Sequence, residues 1–139
     1  MSLSSSPLGQ TNNAQVISLV AASTAYTIAT SQSGSIVQVP AVAALCTITL
    51  PPVATAAGFT LKAQVSATPL AIVRFGTAAA GTLSCWKVNL ATVTSTAALV
   101  NYVQFTATAL PGDYIEINCD GVTYSAIARS VAAAGVSSA

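Results

Sequence analysis

The sequence predicts an all-β protein: an antiparallel β-sandwich or jelly-roll-like barrel of about ten short strands. Three observations favour this fold. Short runs of β-branched and aromatic residues recur along the chain, several of these runs alternate apolar with polar side chains, and Pro, Gly and Asp separate them. Strict alternation gives a strand one buried and one exposed face, which is typical of antiparallel sheets packed on a single core.

The chain divides into an arm, a domain and a tail. Residues 1–14 are polar, include Pro7 and Gly9, and lack any periodicity, which predicts a flexible N-terminal arm. Residues 15–130 hold the alternating runs and predict the β-sandwich domain. Residues 131–139 are Val, Ala, Gly and Ser without periodicity, so we expect a flexible C-terminal tail.

Alternation is clearest in two of the predicted strands. In residues 46–50, Cys46, Ile48 and Leu50 share one face and two threonines share the other. In residues 114–118, two isoleucines lie together opposite Glu116. The predicted strands are residues 15–20, 25–29, 35–39, 46–50, 59–65, 70–75, 83–88, 98–106, 114–118 and 122–128.

Turn residues bound these strands. Pro51-Pro52 ends one strand and Gly58 precedes the next, while Pro111-Gly112-Asp113 predicts a tight turn. Asp120-Gly121 lies between two alternating runs and predicts a hairpin, since both central positions of a type I′ turn need positive φ. No internal repeat that would indicate a solenoid is visible.

Charged side chains are scarce, at 5% of residues where about 25% is usual. So few charges leave two explanations for the surface: Ser, Thr, Asn and Gln solvate it in place of charged residues, or partner chains cover much of it, and the number of charges favours the second. We therefore expect neighbouring subunits to cover part of the exterior. The ionisable residues at neutral pH are Lys62, Arg74, Lys87, Arg129, Asp113, Glu116 and Asp120.

The same scarcity argues against several partners. Without a basic run, neutralisation of nucleic-acid phosphates is not expected. No Lys or Arg cluster adjoins an apolar helix, so electrostatic docking on a membrane is not expected either. No run of 18 apolar residues predicts a transmembrane helix, and no Lys or Arg precedes Lys62 to start a signal peptide.

Catalytic chemistry has few candidate residues. Histidine is absent, which removes the usual general base, the usual metal ligand and every Ser-His or Cys-His pair. A Ser-Lys dyad needs a lysine, but Lys62 and Lys87 both lie in alternating strands and predict solvated, outward side chains that discourage edge pairing. The sequence predicts a non-enzymatic protein without catalytic or cofactor-binding residues or a small-molecule substrate.

A metal site is not predicted. Asp113, Glu116 and Asp120 fall within eight residues, but the two aspartates bracket a whole strand and are about 20 Å apart when extended. Three cysteines at wide spacing form neither a disulfide ladder nor a zinc motif and predict buried thiols. They are Cys46, Cys85 and Cys119.

Aromatic residues leave two interpretations open. They could build a sugar-binding platform, or they could pack in the core and between subunits. Their scatter over different strands favours packing. They include Trp86, Tyr26, Tyr102, Tyr114 and Tyr124.

Five segments within residues 45–129 together resemble the small β-rich modules of bacteriophage fibre, spike and capsid-decoration proteins. The chain departs from that pattern in its low charge, its three cysteines and its lack of a long fibrous shaft. A short free-standing chain fits a capsid decoration (cement) protein better than a fibre tip. The segments are Ile48-Thr49-Leu50-Pro51, Gly58-Phe59-Thr60-Leu61-Lys62, Leu70-Ala71-Ile72-Val73, Leu110-Pro111-Gly112-Asp113-Tyr114-Ile115-Glu116-Ile117 and Asp120-Gly121-Val122-Thr123-Tyr124.

The resemblance implies a structural virion protein on the capsid surface, made in the host cytoplasm. Its expected partners are copies of itself, as a homotrimer, and the major capsid protein. Two alternatives stay open: a receptor- or carbohydrate-binding head of a fibre or spike, and the coat protein of a small virus. A coat protein usually meets nucleic acid with a basic arm, whereas residues 1–14 contain no Lys or Arg.

Overall fold

A computed structural model describes residues 15–96 and 98–139, and it contains twelve strands over these residues. Two single turns of 3-10 helix, Thr30–Gln32 and Val53–Thr55, are the helical elements within these ranges. No helix there is long and apolar enough to cross a membrane. In chain order the strands are β1 (Val16–Ser18), β2 (Ala25–Thr27), β3 (Ser35–Val39), β4 (Cys46–Thr49), β5 (Thr60–Val65), β6 (Val73–Gly76), β7 (Leu83–Asn89), β8 (Thr92–Ser95), β9 (Val103–Phe105), β10 (Tyr114–Cys119), β11 (Tyr124–Ser130) and β12 (Val136–Ser138).

The strands form two sheets that face each other, which confirms the predicted all-β sandwich. The large sheet has seven strands in the order β1-β3-β5-β10-β11-β7-β8. The small sheet has five strands in the order β12-β9-β6-β4-β2. Both sheets are mixed rather than antiparallel, so that part of the prediction is wrong.

The parallel pairing has a simple cause in the path of the chain. The first six strands alternate between the sheets, so β1, β3 and β5 lie in one sheet and β2, β4 and β6 in the other. Each strand therefore returns to its own sheet in the same direction and pairs in parallel with its predecessor. A half-buried strand alternates in the same way whether its neighbours are parallel or antiparallel, so the sequence pattern could not distinguish them.

The core lies between the sheets and follows the predicted alternation. Every second residue of β5 and β11 is buried, and the buried side chains of the two sheets meet in one cluster. Phe75 and Phe105 meet edge to face with ring centroids 6.2 Å apart. Such a pair adds about 1 kcal/mol to the free energy gained from the burial itself.

The C-terminal residues are ordered, contrary to the predicted flexible tail. Residues Val136–Ser138 form β12, which pairs with β9 along the edge of the small sheet, and Val136 is buried. The amide of Asn89 clamps this strand, since Asn89 Nδ2 donates to the carbonyl of Val136 and Asn89 Oδ1 accepts from its N–H. The domain therefore reaches residue 139, whereas the predicted N-terminal arm, 1–14, lies outside the described residues.

Connections alternate strictly between the two ends of the sandwich, because each strand runs opposite to the one before it. One end, the leucine end, collects residues 19–24, 40–45, 66–72, 90–91, 106–113 and 131–135. The other, the groove end, collects residues 28–34, 50–59, 77–82, 96, 98–102 and 120–123. Residue Gln15, where the described chain begins, lies at the groove end.

Candidate functional site

The two lysines lie in different environments. Lys62 is exposed on the outer face of the large sheet, as predicted, with Nζ 5.1 Å from the ring centroid of Tyr114. Lys87 is not outward: it lies on the same side of β7 as the buried Cys85, and its Nζ donates to Ser138 Oγ at 2.8 Å. This pair ties β7 of one sheet to β12 of the other, and neither residue lines the groove described below.

The carboxylates do not converge on a common point. Asp113 is 2% exposed, and its carboxylate accepts hydrogen bonds from the N–H groups of Leu110 and Val131 and from the Ser130 hydroxyl. Asp120 is exposed in the hairpin turn and accepts from two N–H groups, which lowers its pKa. No group of three or more His, Cys, Asp or Glu side chains placed to hold a metal occurs within residues 15–96 and 98–139.

All three cysteines are buried free thiols, as predicted. Burial raises the pKa of Cys46, and it raises the pKa of Cys85 to about 11, with Lys87 acting in the opposite direction. Since the thiolate is the reactive form, the raised pKa makes Cys46 and Cys85 less reactive than an exposed thiol at neutral pH. Their surroundings indicate packing rather than chemistry.

The aromatic side chains are dispersed, and only Trp86 among them is largely exposed. Tyr124 is buried and its hydroxyl donates to the carbonyl of Pro51 at 2.7 Å. The ring of Tyr102 lies against Arg74, with 4.2 Å between the guanidinium carbon and the ring centroid. These residues form no shared platform, which agrees with the packing interpretation for all but Trp86.

An apolar patch surrounds Trp86 on the outer face of the large sheet. Trp86 is 58% exposed and pairs across the sheet with Ile127, and Val88 pairs with Val93 in the next row. We call Trp86, Val88, Val93 and Ile127 the Trp86 patch. It reaches the edge strand β8, in which all four residues are exposed and none is charged.

The leucine end carries most of the exposed apolar side chains. Seven of the thirteen large hydrophobic residues that are exposed in the described chain lie in its loops. Leu70, at 70% exposed, is the most prominent of them. The seven are Val20, Leu45, Leu70, Ile72, Leu90, Leu110 and Val131.

Hydrogen bonds join the loops of the leucine end in two groups, and the N–H of Gly112 links them by donating to Val65, the residue before loop 66–72. The N–H of Ala43 donates to Ala21, and the N–H of Leu70 donates to Val42. Further along, both Leu110 and Val131 donate to the Asp113 carboxylate. Finally, the N–H of Leu90 donates to the carbonyl of Ser130, which brings the β7–β8 turn beside residue 131.

The leucine end is also uncharged on its outside. Its six loops contain a single ionisable side chain, Asp113, and that carboxylate is buried. Exposed apolar loops without charge are unusual, because loops run over the surface and are normally solvated. The sequence-based prediction missed this site because each loop contributes only one or two apolar residues; the available signal was Leu or Val where turns usually carry polar residues.

A groove of about 530 Å³ opens at the opposite end. Its floor is formed by buried Ile28, Leu50 and Pro51, and its walls come from the two turns of residues 52–55 and 77–79. Threonines line it, and no charged residue is among the described residues that form its lining. The lining threonines are Thr27, Thr30, Thr49, Thr55, Thr77 and Thr82.

Comparison with known proteins finds no match: no family model, no curated protein and no solved structure resembles this chain at a significant level. The function must therefore be argued from the surfaces described above.

Proposed function

We propose that this chain is a non-enzymatic structural virion protein, a capsid decoration (cement) protein that stands as a homotrimer on a capsid shell. The observation that carries the proposal is the leucine end, a continuous, uncharged surface of exposed apolar loops. Large exposed apolar patches mark sites of contact with other proteins.

The small number of charges supports a covered exterior. Of the seven ionisable side chains, Asp113 is buried and Arg74 and Lys87 are half-buried. Only four charges, those of Lys62, Glu116, Asp120 and Arg129, are exposed on an accessible surface of 6822 Å². The core of a protein interface is depleted in charge in the same way.

The two apolar surfaces have different roles in this proposal. In a ring of sandwiches standing upright on a shell, sides meet sides and ends meet the shell. The leucine end accordingly contacts the major capsid protein, and the Trp86 patch with the edge strand β8 lies between copies. An unpaired edge strand offers free N–H and C=O groups to a neighbour.

Shell binding is tested by placing charge on the leucine end. We expect the double variant Leu45→Asp/Leu70→Asp to fold normally, since both side chains are already exposed, and to lose co-sedimentation with capsids by about 100-fold in affinity. The matched control is Leu99→Asp/Val122→Asp, at the groove end. Its two positions are 46% and 74% exposed, against 46% and 70% at the leucine end.

The control should bind capsids as the wild type does. Equal binding by wild type, control and leucine-end variant would remove the leucine end from the proposal. Failure of the wild-type protein to bind any candidate capsid would remove the decoration role itself.

Association between copies is tested through Trp86, which is the only tryptophan in the chain. We expect its fluorescence emission to shift to shorter wavelength as the protein concentration rises, with light scattering reporting a trimer over the same range. Trp86→Ser should stay monomeric. A wild-type protein that remains a monomer with unshifted emission would contradict the trimer.

The same exposed tryptophan favours a second candidate, a carbohydrate- or receptor-binding head. An aromatic ring on a flat sheet face can stack on a sugar, and Ser84 and Arg129 lie on the same outer face as possible hydrogen-bonding groups. A glycan that shifts Trp86 emission at constant low protein concentration, and binds in an array, would favour this candidate over the trimer.

A further inference from the structure

The groove at the groove end has no role in the proposed assembly, and its chemistry suits an uncharged, extended peptide. The floor of Ile28, Leu50 and Pro51 is apolar, while Thr27, Thr30 and Thr49 present hydroxyls near the surface. Transfer of an ionised group into such an uncharged site is costly, so a charged peptide is a poor occupant. A segment with a few apolar side chains among hydroxyl and amide groups fits better.

The described chain begins beside this groove. The Gln15 side chain lies 3.5 Å from Gln32, whose Nε2 also donates to the Tyr26 hydroxyl. Gln32 Oε1 accepts from the N–H of Ala29, and Ala29 lines the groove. Gln15, the first described residue, therefore lies near the rim of the groove.

We infer that the groove binds the N-terminal segment of its own chain, residues 1–14. That segment has the required composition: it contains no charged side chain, and it places Leu3, Pro7 and Leu8 among Ser, Thr, Asn and Gln. Its apolar residues match the apolar floor, and its polar residues match the threonines that line the groove. This inference is independent of the proposed capsid role.

The segment of the same chain is favoured over that of a second copy because it is long enough to reach across the groove and is covalently tethered beside it. Leu8 is seven residues from Gln15 and spans up to about 23 Å when extended, which exceeds the width of a groove of this volume. A short tether also gives the segment an effective concentration of about a millimolar or more, so weak contacts suffice to hold it.

Hydrogen exchange on the full chain tests the inference. We expect amides around the groove, in residues 28–30, 50–55 and 77–79, to exchange about 10-fold faster in Leu3→Asp/Leu8→Asp than in the wild type. The matched control, Ser5→Asp/Asn12→Asp, adds the same charge at polar positions of the segment and should retain most of the protection. Neither variant alters a residue of the described sandwich.

Equal exchange in wild type and Leu3→Asp/Leu8→Asp would overturn the docking of this segment. Dilution distinguishes docking of the segment of the same chain from docking of the segment of a second copy. Protection that survives dilution of the wild type by about 100-fold supports docking within one chain. Protection that disappears on dilution would overturn it in favour of the segment of a second copy.

Discussion

The two ends of the sandwich contain one turn aspartate each, and the two residues have opposite environments. At the leucine end, Asp113 is buried and its carboxylate joins the turn of residues 110–113 to the segment after β11. At the groove end, Asp120 is exposed and bonds only its own turn. One carboxylate holds separate segments together, whereas the other serves a local hairpin.

This difference explains how exposed apolar loops can keep their conformation. The loops at the leucine end present Leu and Val to solvent and would lower their free energy by collapsing onto the core. The buried Asp113 and the close approach of Gly135, where a Cβ would lie 2.0 Å from Ser130 Oγ, hold two of these loops in place. The groove end needs no buried carboxylate to hold its loops in place, since Leu99 and Val122 are the only large apolar residues exposed in its described loops.

The largest expected effect comes from removing the buried carboxylate of Asp113. Asp113→Ala leaves two N–H groups and one hydroxyl without their acceptor, so we expect the free energy of unfolding to fall by about 3 kcal/mol or more. Urea denaturation of wild type and variant measures the loss. Asp120→Ala is the control and should cost much less, since water replaces the exposed carboxylate. Equal losses at the two positions would contradict the comparison.

A second, smaller effect is expected at the groove end. Tyr124→Phe removes a buried hydroxyl and leaves the carbonyl of Pro51 without its donor, while the edge-to-face contact with Phe59 at 6.2 Å stays. We expect a loss of about 1–2 kcal/mol in the free energy of unfolding. Tyr114→Phe, on the half-buried outer face, should change it by less than about 0.5 kcal/mol.

Thiol labelling sharpens the comparison of the ends. Cys46 begins β4 at the leucine end, Cys119 ends β10 at the groove end, and Cys85 is held protonated at pH 8 by its raised pKa. We expect Cys119, at 5% exposed, to react first with a thiol reagent, because local opening of the hairpin suffices to reveal it. Mass spectrometry of the partly labelled native protein identifies the site. Earlier labelling of Cys46 would show that the leucine end is the less stable one.

The smallest expected effect is a pH dependence at Asp120. Hydrogen bonds from Thr123 and Val122 lower its pKa in the folded protein, so its charged form stabilises the fold above the unfolded pKa of about 4. That contribution is lost as the pH falls through the lower, folded pKa. The difference in Tm between wild type and Asp120→Asn should therefore shrink below about pH 4. A difference that does not change with pH would contradict this assignment.

The sequence predicted ten of the twelve strands of the described residues and their core faces, because alternation reports burial directly, but it missed β8 and β12. The faces of residues 46–50 and 114–118 are those of β4 and β10, and a hairpin at Asp120-Gly121 joins β10 to β11. The predicted type I′ turn is wrong, because residues 120–123 form a four-residue loop in which Gly121 has positive φ and Asp120 does not. The prediction that Lys87 points outward was wrong. The sequence shows that Trp86 and Lys87 lie on opposite faces of the strand, but it does not show which of the two faces is exposed. The predicted tail contains β12, which is too short for a periodic signal and depends on Asn89 and β9.

By itself, the sequence determined that the protein is an all-β sandwich with few charges and with buried thiols, since composition and side-chain period are local properties of the chain. The tertiary structure alone decided which strands are parallel and which loops share an end. Leu45, Leu70 and Leu110 are 25 and 40 residues apart, and they form one surface only because the chain reverses direction after every strand. Chain direction leaves no trace in hydrophobic periodicity, which is why the sequence shows Leu or Val in single turns but not the surface that they share.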